Sequence, residues 1–137
     1  MATRPFLAPY QVIPNKYATP ANTGSMTADI TSAPTVIQNM AKVAYQVVWS
    51  GTAPVGAVSV EGSNTYTLDA MGNVSNPGSW DTLTFDFNGA PAQSIPVTGN
   101  TGSGILDLTA TGIFAVRLVY TSTSGTGTIT ATVSGKV

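Results

Sequence analysis

The stretch Val43-Ala44-Tyr45-Gln46-Val47-Val48-Trp49 decides the fold. Val43, Tyr45, Val47 and Trp49 fall two residues apart, which sets them on one face of a β-strand. β-Branched and aromatic side chains dominate here and Pro34 stands upstream, so a helical reading of residues 36–49 loses to a strand. The pattern returns in Phe114-Ala115-Val116-Arg117-Leu118-Val119-Tyr120, with Phe114, Val116, Leu118 and Tyr120 on one face and Arg117 on the other. Working outward, Val55 to Glu61 points Val58 and Val60 inward, and Trp80 to Phe87 groups Leu83, Phe85 and Phe87. Gly127 to Val133 turns Ile129, Ala131 and Val133 in and Thr128, Thr130 and Thr132 out. Gly104 to Leu108 is a short strand, and Thr27–Thr31 and Thr35–Gln38 are weaker ones.

Between the strands lie turn residues. Ser50-Gly51-Thr52-Ala53-Pro54 and Thr121–Thr126 read as chain reversals. Asn88-Gly89 is a tight hairpin signal, answered by Ser94 to Val97. About eight short strands that alternate on one face, with no helix, make an all-β fold: an antiparallel two-sheet sandwich of jelly-roll type. That domain is expected over residues 25–137, with residues 1–24 as an extended N-terminal arm. Pro5, Pro9, Pro14 and Pro20 exclude a helix or a central strand from the arm. The arm still carries Phe6, Leu7, Tyr10, Val12, Ile13 and Tyr17, more apolar anchoring than a plain linker has. The arm is free to fold back on its own domain or to lie on a neighbour; docking on a neighbouring molecule is the favoured expectation, with Phe6, Leu7, Tyr10, Ile13 and Tyr17 as the partner-binding residues.

Composition limits the chemistry. The 137 residues contain no Cys and no His, so disulfides, Cys/His zinc sites and His-based triads are excluded. Five basic and six acidic residues leave a net charge of -1, too little field to hold nucleic acid or an anionic membrane. Charged residues make up 8%, against about 25% in ordinary soluble domains, while hydrophobic residues are a normal 42%. Such a surface suits contact with other protein, although a neutral Thr-rich monomer surface gives the same composition. The N-terminal residues lack the apolar run of a signal peptide, and no 18-residue apolar segment occurs, so assembly in the cytoplasm without Sec-type export is expected.

Catalytic candidates are sparse. Asp81 and Asp86, five apart in a strand, point to opposite faces and make no glycosidase pair, and no Ser-x-x-Lys motif occurs. No enzyme activity, cofactor or metal is expected. The insertion Gly62–Ser79 is too long for a plain hairpin loop. Tyr66, Leu68 and Met71 are expected to pack over the end of the sandwich. Asp69-Ala70-Met71-Gly72-Asn73 has some character of a calcium loop but too few carboxylates in reach, and an Asp/Gly/Asn turn explains it. Asn73-Val74-Ser75 matches a glycosylation acceptor and, without an export signal, is read as chance. Tyr66 and Trp80 are the aromatics of the β-domain expected near the surface, where packing at the core or rim is the favoured reading and a sugar-stacking platform the alternative. Arg117 is expected to meet Asp107, Asp86 or a partner.

Three stretches together resemble a known pattern: Ala44–Thr52 followed by Val55–Ser63, then Gly78–Phe85, and above all Ile113–Ile129 with Ser134-Gly135-Lys136. They are similar to small β-sandwich proteins of tailed-phage virions, most of all the jelly-roll cement type found on the Bordetella tropism-switching phage capsid. The resemblance spans residues from about 30 to 137 and leaves out the arm. It implies a cement or decoration subunit on the outer capsid surface, partnered by the major capsid protein and by itself as a dimer or trimer at local symmetry axes. A receptor-binding module on a tail or fibre, reading glycan with the Gly62–Ser79 loop and Trp80, is the alternative. No residue-level site carries over, because the pattern specifies strands and turns.

Overall fold

The computed structural model describes residues 6–18, 21–108 and 112–137. These form β1 (Phe6–Ile13), β2 (Ile30–Thr31), β3 (Thr35–Val36), β4 (Lys42–Ser63), β5 (Thr67–Leu68), β6 (Val74–Asn76), β7 (Asp81–Thr82), β8 (Phe85–Phe87), β9 (Ala90–Ala92), β10 (Ile95–Val97), β11 (Thr101–Leu108) and β12 (Ala115–Lys136). No helix occurs among the described residues, and every pairing is antiparallel. The all-β expectation holds.

Two 22-residue strands organise the molecule. β4 and β12 pair along their full length, from Ala115 opposite Ser63 to Lys136 opposite Lys42. Val43, Tyr45, Val47 and Trp49 from one half of β4, and Val58 and Val60 from the other, all enter a single buried cluster. The ladder therefore folds over on itself. One layer holds β1, the second half of β12, the first half of β4, β11, β8 and β9 in that order. The other holds β2 and β3, the first half of β12, the second half of β4, and β10 with β7. This is the jelly-roll arrangement, with two pairs of its strands fused end to end.

The fusion corrects two expected turns. Residues 50–54 and 121–126 do not reverse the chain; they bend two paired strands together. The register slips between Ser122 and Ser124 and again before Thr126. Ala53 (φ 46°) and Gly125 (φ 83°) take left-handed conformations there, as extra residues in a bulge do. A Cβ on Gly125 would strike the Ala53 carbonyl, and one on Gly51 would strike that of Thr126. In each strand the inward face changes parity across the bend: odd residues 43–49 and even residues 58–60 in β4, even residues 116–120 and odd residues 129–133 in β12.

The N-terminal segment is the second correction. β1 is not a free arm but an edge strand of its own sheet, paired to β12 from Phe6 opposite Lys136 to Ile13 opposite Ala131. Proline excludes a central position, not an edge, and the register slip between Leu7 and Tyr10 absorbs Pro9. Val12 and Ile13 are buried in the core, and Leu7 packs against it. Pro5 and Pro20 lie outside the described residues.

Two smaller differences follow the same logic. Asn88-Gly89 does make a tight turn, with both residues at positive φ, but Ala90–Ala92 answers it, with Pro91 on the edge strand. Ile95–Val97 crosses to the other layer and pairs with β4. The expected strand Trp80–Phe87 divides between layers, β7 pairing with β4 and β8 with β11.

Candidate functional site

The anchors expected on the arm are scattered by the fold. Ile13 is fully buried and closed to a partner, and Leu7 is half-buried against the core. Tyr10 is 41% exposed and its hydroxyl bonds Thr35 Oγ1 at 2.9 Å, tying β1 to the β3 edge. Tyr17 stands out at 87% exposure beside the Lys16 ammonium. The side chain of Phe6 lies outside the described residues.

A different element brings three exposed apolar side chains together. Inside the long insertion, β5 and β6 form a small hairpin whose residues 67–77 are all exposed. Leu68 and Val74 are direct cross-strand partners, so they share one face of the ribbon. Thr67 and Ser75 take the other face, where their hydroxyls bond each other at 2.7 Å. Met71 sits at the tip, 87% exposed, with Leu68 at 38% and Val74 at 55%. This corrects the expectation that Leu68 and Met71 pack over the sandwich; only Tyr66 does, and it is buried.

The hairpin is built to hold its shape. Asp69 Oδ1 accepts the Met71 and Asn73 amides, each at 2.9 Å, and the Asp69 amide donates to the Asn73 carbonyl at 2.8 Å. The carboxylate thus closes a turn, as the Asx-turn reading expects. No cluster of three or more Cys, His, Asp or Glu occurs among the described residues.

Its base is braced from the sheet below. Glu61 and Arg117 are cross-strand partners, and Arg117 Nε meets Glu61 Oε1 at 2.7 Å. The expected partners Asp107 and Asp86 instead belong to the opposite layer. The Arg117 guanidinium lies 4.3 Å from the centre of the Trp80 ring. Trp80 also packs tilted against Tyr66, centroids 5.7 Å apart, and its Nε1 donates to the Pro77 carbonyl at 2.9 Å. One face of Trp80 is therefore taken by a cation and its edge by backbone. Tyr66 and Trp80 act as the footing of the hairpin, not as an open stacking platform. The length of the insertion marked this region in the sequence; the register that pairs Leu68 with Val74 carried no local signal.

No protein-family model matches the chain. No curated protein matches it either. Among solved structures, the fold is similar to the crystal structure of the SPBc2 prophage-derived protein YomS, with a TM-score of 0.58 over 98% of this chain and 96% of that one. The two sequences are 13% identical, so the likeness is one of fold.

Proposed function

We propose that the protein is a structural component of a tailed-phage particle. In this reading it is a capsid decoration or cement subunit, set on the outer surface of the shell and assembled in the host cytoplasm. It bridges neighbouring major capsid proteins by surface contact, without catalysis, cofactor or metal. The observation that carries the reading is the rigid hairpin whose apolar face, Leu68 and Val74 with Met71 at the tip, is left uncovered. A braced projection with an apolar face, on a molecule with only 8% charged residues, is suited to seating in a neutral groove of another protein. Covering those side chains contributes on the order of 1 kcal/mol each, so many copies on a repeating lattice are needed for firm attachment. The fold likeness to a prophage-derived protein agrees with a phage setting.

Purified protein mixed with phage shells that lack it is expected to co-sediment with them. Met71→Asp combined with Leu68→Asp should weaken that binding at least about tenfold while the circular dichroism spectrum stays unchanged. Wild-type protein that ignores the shells would overturn the reading. The glycan-binding alternative asks for a free aromatic face, and the Arg117 guanidinium occupies one face of Trp80. Glycan binding abolished by Trp80→Ala would restore it.

A further inference from the structure

We infer that the bare edge of β11, at Thr101–Gly104, is a slot that takes in an extended segment of a partner protein as an added strand. The slot exists because β8 is short. β8 has three residues, and its register with β11 is set by Asp86 opposite Asp107. Asn88-Gly89 then turns the chain back into β9. β11 is eight residues long and pairs with β4 along its whole length without a slip. Its other edge is therefore covered over the second half and bare over the first. The Gly51 amide donates to the Asn100 carbonyl at 2.8 Å, which turns the even-numbered residues of β11 toward β4 and the odd-numbered ones away. The N–H and C=O groups of Thr101 and Ser103 thus point outward. Both residues are exposed, and none of the four groups meets a backbone partner among the described residues.

The other edges of the two sheets are guarded against strand addition. In β9 the residues flanking the two-residue turn, Phe87 and Ala90, form the hydrogen-bonded pair, so the next residue out, Pro91, aims its nitrogen away from β8. In β10 the same holds for Pro96. The Leu83 amide bonds the Val60 carbonyl, which turns the even-numbered residues of β4 to that side and leaves Pro96, opposite Ala57, facing outward. A proline there has no donor to offer an incoming strand. β1 carries Pro9 and two register slips. β2 and β3 have two residues each, with Pro34 between them. The stretch Thr101-Gly102-Ser103-Gly104 has no proline, no charge and no slip.

The geometry also selects the occupant. Outward backbone groups that recur every second residue, about 6.8 Å apart, match the backbone of another extended chain. The β8–β9 hairpin stands beside the second half of β11, two strands deep, and makes the slot a notch roughly 14 Å long. One segment of about four residues fits the notch, whereas the edge of a second sheet runs into the hairpin. On the outer face the slot is bordered by Ile105, 55% exposed, and by Val48, 48% exposed and the direct partner of Ser103. On the inner side the rings of Trp49 and Phe87 lie against Gly102 and Gly104. The fitting segment is therefore uncharged, extended and apolar at alternate positions. In the virion reading, which this contact deepens, the segment belongs to a neighbouring capsid protein; the slot itself asks only for the segment's backbone and can be tested without a shell.

The probe is a blocked Thr-Val-Thr-Val-Thr peptide at millimolar concentration, with amide hydrogen exchange as the readout. Exchange at Thr101 and Ser103 is expected to slow at least about threefold, with the amides of β1 and β9 unchanged. The same peptide N-methylated at alternate residues should give no protection. Ser103→Pro removes an outward donor and no bond to β4, so it should abolish the effect on Thr101 with an unchanged circular dichroism spectrum, while Ser103→Ala should bind as the wild type does. If Ser103→Pro does not fold, the N-methylated peptide still discriminates on the wild-type protein. No protection by the unmodified peptide overturns the inference, as does equal protection by the N-methylated one. A peptide-free dimer in analytical ultracentrifugation that Ser103→Pro dissolves also overturns it, since a second copy would then fill the slot. Folded Ser103→Pro that still co-sediments fully with shells overturns the slot as the shell contact and leaves the virion role standing. Wild-type protein that binds the peptide but ignores shells overturns the virion role and leaves the slot.

Discussion

Two phenol hydroxyls, on Tyr45 and Tyr120, are buried without a hydrogen-bond partner among the described residues. A buried unpaired hydroxyl costs about 1–3 kcal/mol, so Tyr45→Phe is expected to leave the thermal midpoint unchanged or raise it. Burial also pushes the pKa of both phenols above the usual value near 10, because the ionised form cannot be solvated. The native state thus keeps the Tyr45 proton when the unfolded chain loses it. Stability from this source is fully present below about pH 10 and falls above it, by about 1.4 kcal/mol per pH unit. Chemical denaturation from pH 9 to 12 should show that decline, and Tyr45→Phe should make it shallower. Arg117 carries a different load. Its ion pair with Glu61 is partly exposed and its guanidinium lies over the Trp80 ring, so Arg117→Ala should cost about 1–2 kcal/mol and change Trp80 fluorescence.

At the scale of elements, the bend at residues 50–54 and 121–126 is the part of the fold that local sequence conceals. Alternation at Val43–Trp49 and Phe114–Tyr120 reports which side chains face the core, because a strand's two-residue period is intrinsic to its backbone. Gly, Pro, Ser and Thr report only that the backbone leaves the regular strand. Whether it reverses or bends depends on the partner, and here Gly51 lies opposite Gly127 so that both strands turn together. Pro9 misleads similarly: it forbids a central strand, yet an edge strand with a slipped register accepts it. Gly51 and Gly125 in the bend are expected to tolerate no side chain. Gly125→Val forces a left-handed backbone and a collision with the Ala53 carbonyl, and should lower unfolding free energy by about 3 kcal/mol or more in urea titrations.

For the molecule as a whole, the incorporation of β1 changes what a truncation does. A dispensable arm would leave a folded domain behind. Removing residues 1–13 instead strips Val12 and Ile13 from the core and exposes the β12 edge. Each lost side chain is worth about 1.5–3 kcal/mol, so the shortened protein should unfold at much lower temperature and aggregate along the opened edge. By contrast, Met71→Asp should leave the melting temperature within about a degree, since exposed positions contribute little to stability. The projecting site was legible as an overlong insertion, whereas its two-faced character depends on cross-strand register. The pairing of Phe6 with Lys136 has a mechanical consequence. These residues are adjacent ends of antiparallel strands, so tension applied between them opens the ladder one rung at a time, like a zip. Tension applied along β4 against β12 must shear many rungs together. Optical-trap traces with handles in the two geometries should therefore differ several-fold in rupture force.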